Sequence, residues 1–167
     1  MERQEFSVVS RSEMDTQTLG QSLARYLEPP LVVALYGPLG AGKTTFVRGI
    51  ARGLGIKRVR SPSFLIMLRY RGSRGVLYHL DLYRLEERQE VDELVQMGIP
   101  EVFERHLVVV EWAERLGPLL PEERLEVFLD FLDGARRIRL VGLGHRPARI
   151  VAALARSFTP PVPHENP

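Results

Sequence analysis

The sequence predicts an α/β fold organised around a phosphate-binding glycine loop. Three observations carry that expectation. The apolar run over residues 31–36 (LVVALY) has the length and β-branched content of a strand buried on both faces. Gly37, Pro38, Leu39, Gly40, Ala41, Gly42, Lys43 and Thr44 follow it and match GxxxxGK(S/T) in full. Residues 44–54 then place Phe46, Val47, Ile50 and Leu54 at helical spacing, with Gly53 and Gly55 closing the helix.

The remaining elements are read in chain order. Ser12 and Asp15 are candidate helix caps, and Leu19, Leu23 and Leu27 recur every four residues beside Ala24, which predicts a helix over 16–27 that stops at Glu28-Pro29-Pro30. After the loop and its helix, strands over 64–70 and 76–83 flank the glycine-containing link Arg71-Gly72-Ser73-Arg74-Gly75 and suit an antiparallel hairpin. A charged helix is expected over 85–97, ending at Gly98, with Glu86, Glu87, Glu90, Asp92 and Glu93 on a solvated face. Residues 107–110 (LVVV) read as a second fully buried strand. A second hairpin, 125–131 with 137–141, turns at Asp133-Gly134, and a last helix runs over 147–157. Residues 1–157 therefore form one domain, and 158–167, where four of the chain's 12 prolines fall, form a disordered tail.

Composition narrows the function classes. With 167 residues, 44% of them hydrophobic, the chain suits one domain with a real core. No run approaches the ~18 apolar residues of a membrane span, and the first residues, MERQEFSVVSR, carry charges where a signal peptide is apolar, so a cytoplasmic protein without membrane attachment is expected. The absence of cysteine excludes disulfides and thiolate metal sites, and the four histidines show no ligand spacing, so a bound metal would be held by oxygen. A net charge of +2, from 23 basic and 21 acidic residues, is too small to mark a nucleic-acid surface.

In the glycine loop, small residues allow successive N–H groups to face one concavity, the helix N-terminus adds positive potential, Lys43 reaches the β- and γ-phosphates, and Thr44 offers its hydroxyl to Mg²⁺. Lys43 is one of only two lysines beside 21 arginines, and this position needs a slender point charge rather than a planar fork. No asparagine precedes either lysine, so the guanine-reading NKxD pattern is absent and ATP is favoured over GTP.

Two carboxylates are candidates to serve the metal. Glu111 follows the buried strand 107–110 and should emerge at the carboxyl edge, where open α/β sheets bind ligands; the plainer alternative is a charge opening a solvated turn. In His79-Leu80-Asp81-Leu82-Tyr83-Arg84, alternation puts His79, Asp81 and Tyr83 on one face, which suggests a polar site with His79 in a supporting hydrogen bond. An exposed strand face with an Asp–Arg pair remains open. Ser61-Pro62-Ser63-Phe64 follows the basic stretch 57–60, and Ser63 is a candidate γ-phosphate sensor, with an ordinary surface turn as the alternative.

Taken together, GPLGAGKTT at 37–45, SPSF at 61–64, HLDLYR at 79–84, MGI at 97–99 and VEW at 110–112 resemble the TsaE (YjeE) family, bacterial ATPases needed for the threonylcarbamoyl modification of adenosine 37 in tRNA. The resemblance covers about residues 12–142. It implies a three-layer P-loop NTPase fold with a mostly parallel central sheet and added antiparallel hairpin strands. It implies weak ATP hydrolysis that depends on the partners TsaD and TsaB, with tRNA reached through that complex. By the same resemblance the loop 37–45, including Thr45, binds ATP, Ser63 belongs to a switch, and Asp81 is needed for hydrolysis and lies at the metal. Glu111 with Thr44 binds Mg²⁺, and Glu13 and Thr16 border the adenine pocket. The chain departs from the family pattern at Ser63, where threonine is usual, and at Pro38, where an acidic residue is usual. Proline stiffens the turn and removes one N–H, which fits only if no phosphate needs that group. Two other classes stay compatible with the loop: a small-molecule kinase, against which the chain lacks an arginine-rich lid after Glu111, and a nucleotide-gated binding module without useful turnover.

Overall fold

The computed structural model describes residues 1–62, 66–85 and 90–160. Its strands are β1 (Arg3–Ser10), β2 (Leu31–Tyr36), β3 (Met67–Gly72), β4 (Gly75–Asp81), β5 (Leu107–Glu111), β6 (Arg124–Leu132) and β7 (Ala135–Leu143). The helices are α1 (Glu13–Ala24), α2 (Lys43–Gly53), α3 (Glu90–Gln96), α4 (Ile99–Arg105) and α5 (His145–Ser157), and a 3₁₀ segment spans Ala113–Leu119.

The strands form one sheet in the order β1-β7-β6-β2-β5-β4-β3. Its centre is parallel, β6 with β2, β2 with β5 and β5 with β4, while the flanking pairs β1–β7, β6–β7 and β3–β4 are antiparallel. Strand alternation divides the core in two. Val33, Leu35, Leu107 and Val109 face one side and pack with Leu19 and Leu23 of α1, Phe46 and Ile50 of α2 and Val151 and Leu154 of α5. Val32, Ala34, Val108 and Val110 face the other side, against Leu94 of α3, Ile99 and Phe103 of α4 and Leu116. Covering both faces explains why LVVALY and LVVV are apolar throughout rather than alternating.

The layer that positions the site is the tight α1–α2 pair. A Cβ on Gly49 would lie 2.2 Å from the Gln17 carbonyl oxygen, so only glycine lets the two backbones approach this closely. Gly49→Ala is expected to lower stability by about 1–3 kcal/mol, read from the midpoint of a denaturant unfolding curve.

Several expectations are corrected. The sheet has the expected parallel centre with antiparallel hairpin strands added, and the N-terminal residues extend it by an edge strand, β1, that was not expected. Only Val8 and Ser10 of that strand are buried, so it lacks an apolar signal and is held by its ladder to β7, from Arg3↔Leu143 to Ser10↔Arg136. Helix α1 starts three residues before the expected 16, because Ser12 is its cap and accepts from the Asp15 N–H at 3.0 Å. The expected helix over 85–97 is described only as α3, residues 86–89 lying outside the described residues. Gly98 does end that region, but at φ 81° it also begins α4, with Pro100 in its first turn, where a missing N–H costs little. The helix expected over 147–157 begins two residues earlier, at His145. Phe158 is buried and meets Phe6 edge-on at 6.3 Å, so the fold extends one residue past 157, while 161–167 lie outside the described residues. Among the described residues no helix is long and apolar enough to cross a membrane.

Candidate functional site

The parallel strands β2, β4 and β5 end side by side, and their carboxyl ends deliver the loop after Tyr36, Asp81 and Glu111 to one place. That is where a parallel sheet presents a crevice. Register pairs Asp81 with Glu111 and Glu111 with Leu35, so the two acids lie next to each other on neighbouring strands. Above them the glycine loop turns into α2. Gly42 caps that helix with φ 106°, a left-handed conformation that favours glycine, and no side chain caps the first turn. The helix N-terminus therefore opens its N–H groups toward the crevice, an arrangement suited to an anion.

Lys43 is only 5% exposed. Its Nζ donates to the carbonyl oxygens of Gly37 and, at 3.1 Å, Pro38, and it stands 4.1 Å from the centroid of the Trp112 ring. Burial lowers its pKa, opposed by the charges of Glu111, Glu114 and Asp81. Trp112 reaches this position through a left-handed backbone, φ 58°, uncommon for a bulky residue and placed directly after Glu111.

Glu111, 67 residues from Thr44, accepts a hydrogen bond from its Oγ1 at 2.9 Å. The other carboxylate oxygen lies 2.5 Å from Nε2 of the fully buried His79. Tyr70 closes the chain. Its hydroxyl donates to the Arg60 carbonyl at 2.6 Å and also lies 3.3 Å from His79 Nδ1. Asp81 Oδ1 accepts from the Tyr83 N–H at 3.0 Å. Burial raises the Asp81 carboxyl above its ordinary pKa, the Tyr83 N–H opposes the shift, and the Glu111 charge adds to it.

These groups share a cavity of about 550 Å³, lined by Leu39, Gly40, Gly42, Lys43, Thr44 and Thr45 of the loop and helix and by Glu13, Ser61, Asp81, Glu111 and Trp112. A second cavity of about 290 Å³ is lined by Ser10, Glu13, Thr16, Ala41 and the turn residues Gly134, Ala135 and Arg136. Glu13, Gly40, Gly42 and Thr45 line both, so the two are contiguous. Gly37 and Pro38 contribute carbonyls to Lys43 rather than cavity wall. Ser63 lies outside the described residues. Among the described residues no group of three or more His, Asp or Glu side chains is arranged to hold a metal. Thr44 with Glu111 and Asp81 offers the sparse oxygen set that Mg²⁺ accepts when substrate phosphates and water complete its shell.

Four contributors escaped sequence reasoning. Tyr70 contacts His79, Trp112 underlies Lys43, and Ser10 lines the second cavity. Arg115 Nη1 donates to the carbonyls of Leu82 at 3.0 Å, Tyr83 and Leu85 at 2.9 Å, which fixes the turn after β4. Trp112 was visible as the last residue of VEW, without a role; Tyr70, Ser10 and Arg115 sit in strand or turn contexts that carry no local mark.

The model of the family described as threonylcarbamoyl adenosine biosynthesis protein TsaE matches residues 10–138. The tRNA threonylcarbamoyladenosine biosynthesis protein TsaE of Bacillus subtilis is 37% identical over 145 residues, 85% of this chain and 89% of the relative. Its namesake in Treponema pallidum is 43% identical over 133 residues, 78% of this chain and 96% of the relative. A crystal structure of Bacillus subtilis YdiB superposes with a TM-score of 0.79 at 31% identity, covering 93% of this chain and 97% of that one. With the matched segment running from the end of β1 into β7 and including both cavities, the chain belongs to the TsaE family of threonylcarbamoyl adenosine biosynthesis proteins.

Proposed function

We propose that this protein is a cytoplasmic P-loop ATPase that binds and hydrolyses Mg-ATP, and that it acts with TsaD and TsaB to sustain threonylcarbamoylation of adenosine 37 in tRNA. The observation that carries the reading is the meeting of the Thr44 hydroxyl and the Glu111 carboxylate at 2.9 Å, beside the Lys43 ammonium and at the open N-terminus of α2. The relatives' names supply the tRNA modification. A glycine loop after a central parallel strand of a mixed sheet fits a P-loop NTPase fold.

In the proposed reaction the loop amides and the α2 N-terminus hold the triphosphate, and Lys43 leaves the Gly37 and Pro38 carbonyls for the β- and γ-phosphate oxygens. Thr44 and Glu111 already lie at bonding distance, so they receive a divalent ion without rearranging the sheet. Mg²⁺, when bound, supplies charge neutralisation across the β- and γ-phosphates. Asp81, facing the same cavity, orients the attacking water; the water oxygen bonds to the γ-phosphorus as the bond to the bridging oxygen breaks, the water gives up a proton to solvent, and ADP and phosphate leave. The residues Glu13 and Thr16 place the nucleoside in the second cavity.

Measuring ATP hydrolysis for the chain alone and with purified TsaD and TsaB tests the reading. Slow hydrolysis that rises with the partners is expected. A phosphorylated metabolite as product would favour a kinase, and ATP left intact in the full mixture would favour a gated binding module. At the metal, Thr44→Ala and Glu111→Gln are expected to weaken Mg²⁺-dependent binding or turnover by about 10–100-fold while the melting temperature stays near that of the parent. Unchanged Mg²⁺ dependence in Glu111→Gln would make that glutamate a structural partner of His79 and Thr44 only.

A further inference from the structure

Three polar side chains cross the apolar face of the sheet that α1, α2 and α5 cover. Leu68 pairs with His79 and His79 with Val109, so Tyr70 and Glu111, each two residues further along, lie diagonal to His79 on its own face. Their neighbours there, Leu35, Leu77 and Val109, are fully buried, as is His79. Each ring nitrogen of His79 has a partner atom, Glu111 Oε2 at 2.5 Å from Nε2 and the Tyr70 hydroxyl at 3.3 Å from Nδ1. The same hydroxyl donates to the Arg60 carbonyl at 2.6 Å and accepts from the Arg60 N–H at 3.2 Å. A phenol has one proton and two lone pairs, enough for three such partners. Arg60 directly precedes Ser61 and Pro62, which line the larger cavity. A row of contacts therefore runs from Thr44 and Glu111 through His79 and Tyr70 to the backbone beside that wall.

We propose that Tyr70 is a positioning residue for the metal carboxylate: through His79 it holds Glu111 in place for a divalent cation, and through Arg60 it ties that carboxylate to the cavity wall at Ser61 and Pro62. The inference rests on the proposed binding of Mg²⁺ by Thr44 and Glu111. Tyr70 lines neither cavity, so it acts only through its neighbours. A carboxylate already fixed by partners behind it gives up less freedom when a cation arrives, and loss of such a partner weakens metal binding by about 10–100-fold. Tyr70 stands one contact further back than His79, so a smaller effect, about three- to tenfold, is expected. The coupling works in both directions: contacts that favour the cation are themselves favoured once the cation is bound. A tyrosine that only fastened the connector after α2 would not distinguish metal-loaded from metal-free nucleotide.

The probe is a non-hydrolysable ATP analogue, titrated once with Mg²⁺ and once with EDTA in its place; the ratio of the two affinities is the gain from the metal. Tyr70→Phe keeps the ring and removes the hydroxyl. It should cut that gain about three- to tenfold and leave the affinity in EDTA within about twofold of the parent. In a Glu111→Gln background the same substitution should cost nothing further, because the two residues act through one row. The two-way coupling supplies a second readout. With the analogue bound, Mg²⁺ should slow hydrogen exchange of the Arg60 amide by a similar factor of about three to ten, and Tyr70→Phe should abolish that slowing. A metal gain untouched by Tyr70→Phe, equal weakening with and without Mg²⁺, or an undiminished loss in the Glu111→Gln background would each overturn the role of Tyr70, as would Arg60 exchange indifferent to Mg²⁺. All four leave the binding of Mg²⁺ at Glu111 standing. A full metal gain in Glu111→Gln itself would end that reading and the role of Tyr70 together.

Discussion

Lys43→Ala should lose about 100-fold or more in ATP affinity, measured by calorimetric titration with Mg²⁺. The ammonium already stands in the loop, held by the Gly37 and Pro38 carbonyls over the face of Trp112, and burial has stripped it of most of its water. Little further desolvation or ordering is needed when phosphate oxygens replace those carbonyls, so nearly the whole charge-assisted interaction goes to binding. No other lysine can substitute, since Lys57 is exposed and beyond the end of α2. Lys43→Arg should be nearly as weak, because a planar guanidinium cannot occupy the slot between two loop carbonyls and an indole ring. Near-normal affinity in Lys43→Ala would overturn the phosphate-binding assignment of the loop.

Asp81→Ala should separate binding from turnover. The loop amides, Lys43 and Thr44 make the ground-state phosphate contacts, so ATP should still bind, while hydrolysis in the presence of partners falls about 100-fold or more if Asp81 orients the attacking water. The aspartate acts as a carboxylate, and burial raises its pKa, so activity is lost as pH falls, through a limb lying above the ordinary value of about 4. The residual hydrolysis of Asp81→Asn should not follow that limb. Equal loss of binding and turnover would mean that Asp81 shapes the cavity rather than the reaction. Ser63→Ala gives the companion test: ATP should bind with little loss, but reconstituted tRNA modification over repeated cycles should slow. Wild-type modification by both variants would return Asp81 and Ser63 to ordinary strand and turn roles.

The sequence by itself determined what depends on contiguous residues. The strand LVVALY, the loop 37–44 and the inward face of α2 sit within two dozen residues, and their hydrophobic period, glycines and lysine specify strand, turn and helix without reference to the rest of the chain. The buried run LVVV and the second hairpin were legible for the same reason, as was the placing of Glu111 at a strand end, whereas Asp81, expected inside a strand over 76–83, ends β4. Tertiary structure alone decided which distant groups meet. β1 is invisible to a periodicity argument because an edge strand with two buried residues is stabilised by its hydrogen bonds to β7, not by an apolar face. Gly98 marks both the end of one helical region and the start of α4, and only the packing of Ile99 and Phe103 under the sheet chooses the second. The bonds Thr44–Glu111 and His79–Glu111 join residues 67 and 32 positions apart. They follow from the parallel register of β4, β5 and β2, and register is set by which faces are buried together, a property of the assembled sheet that no local stretch of sequence contains.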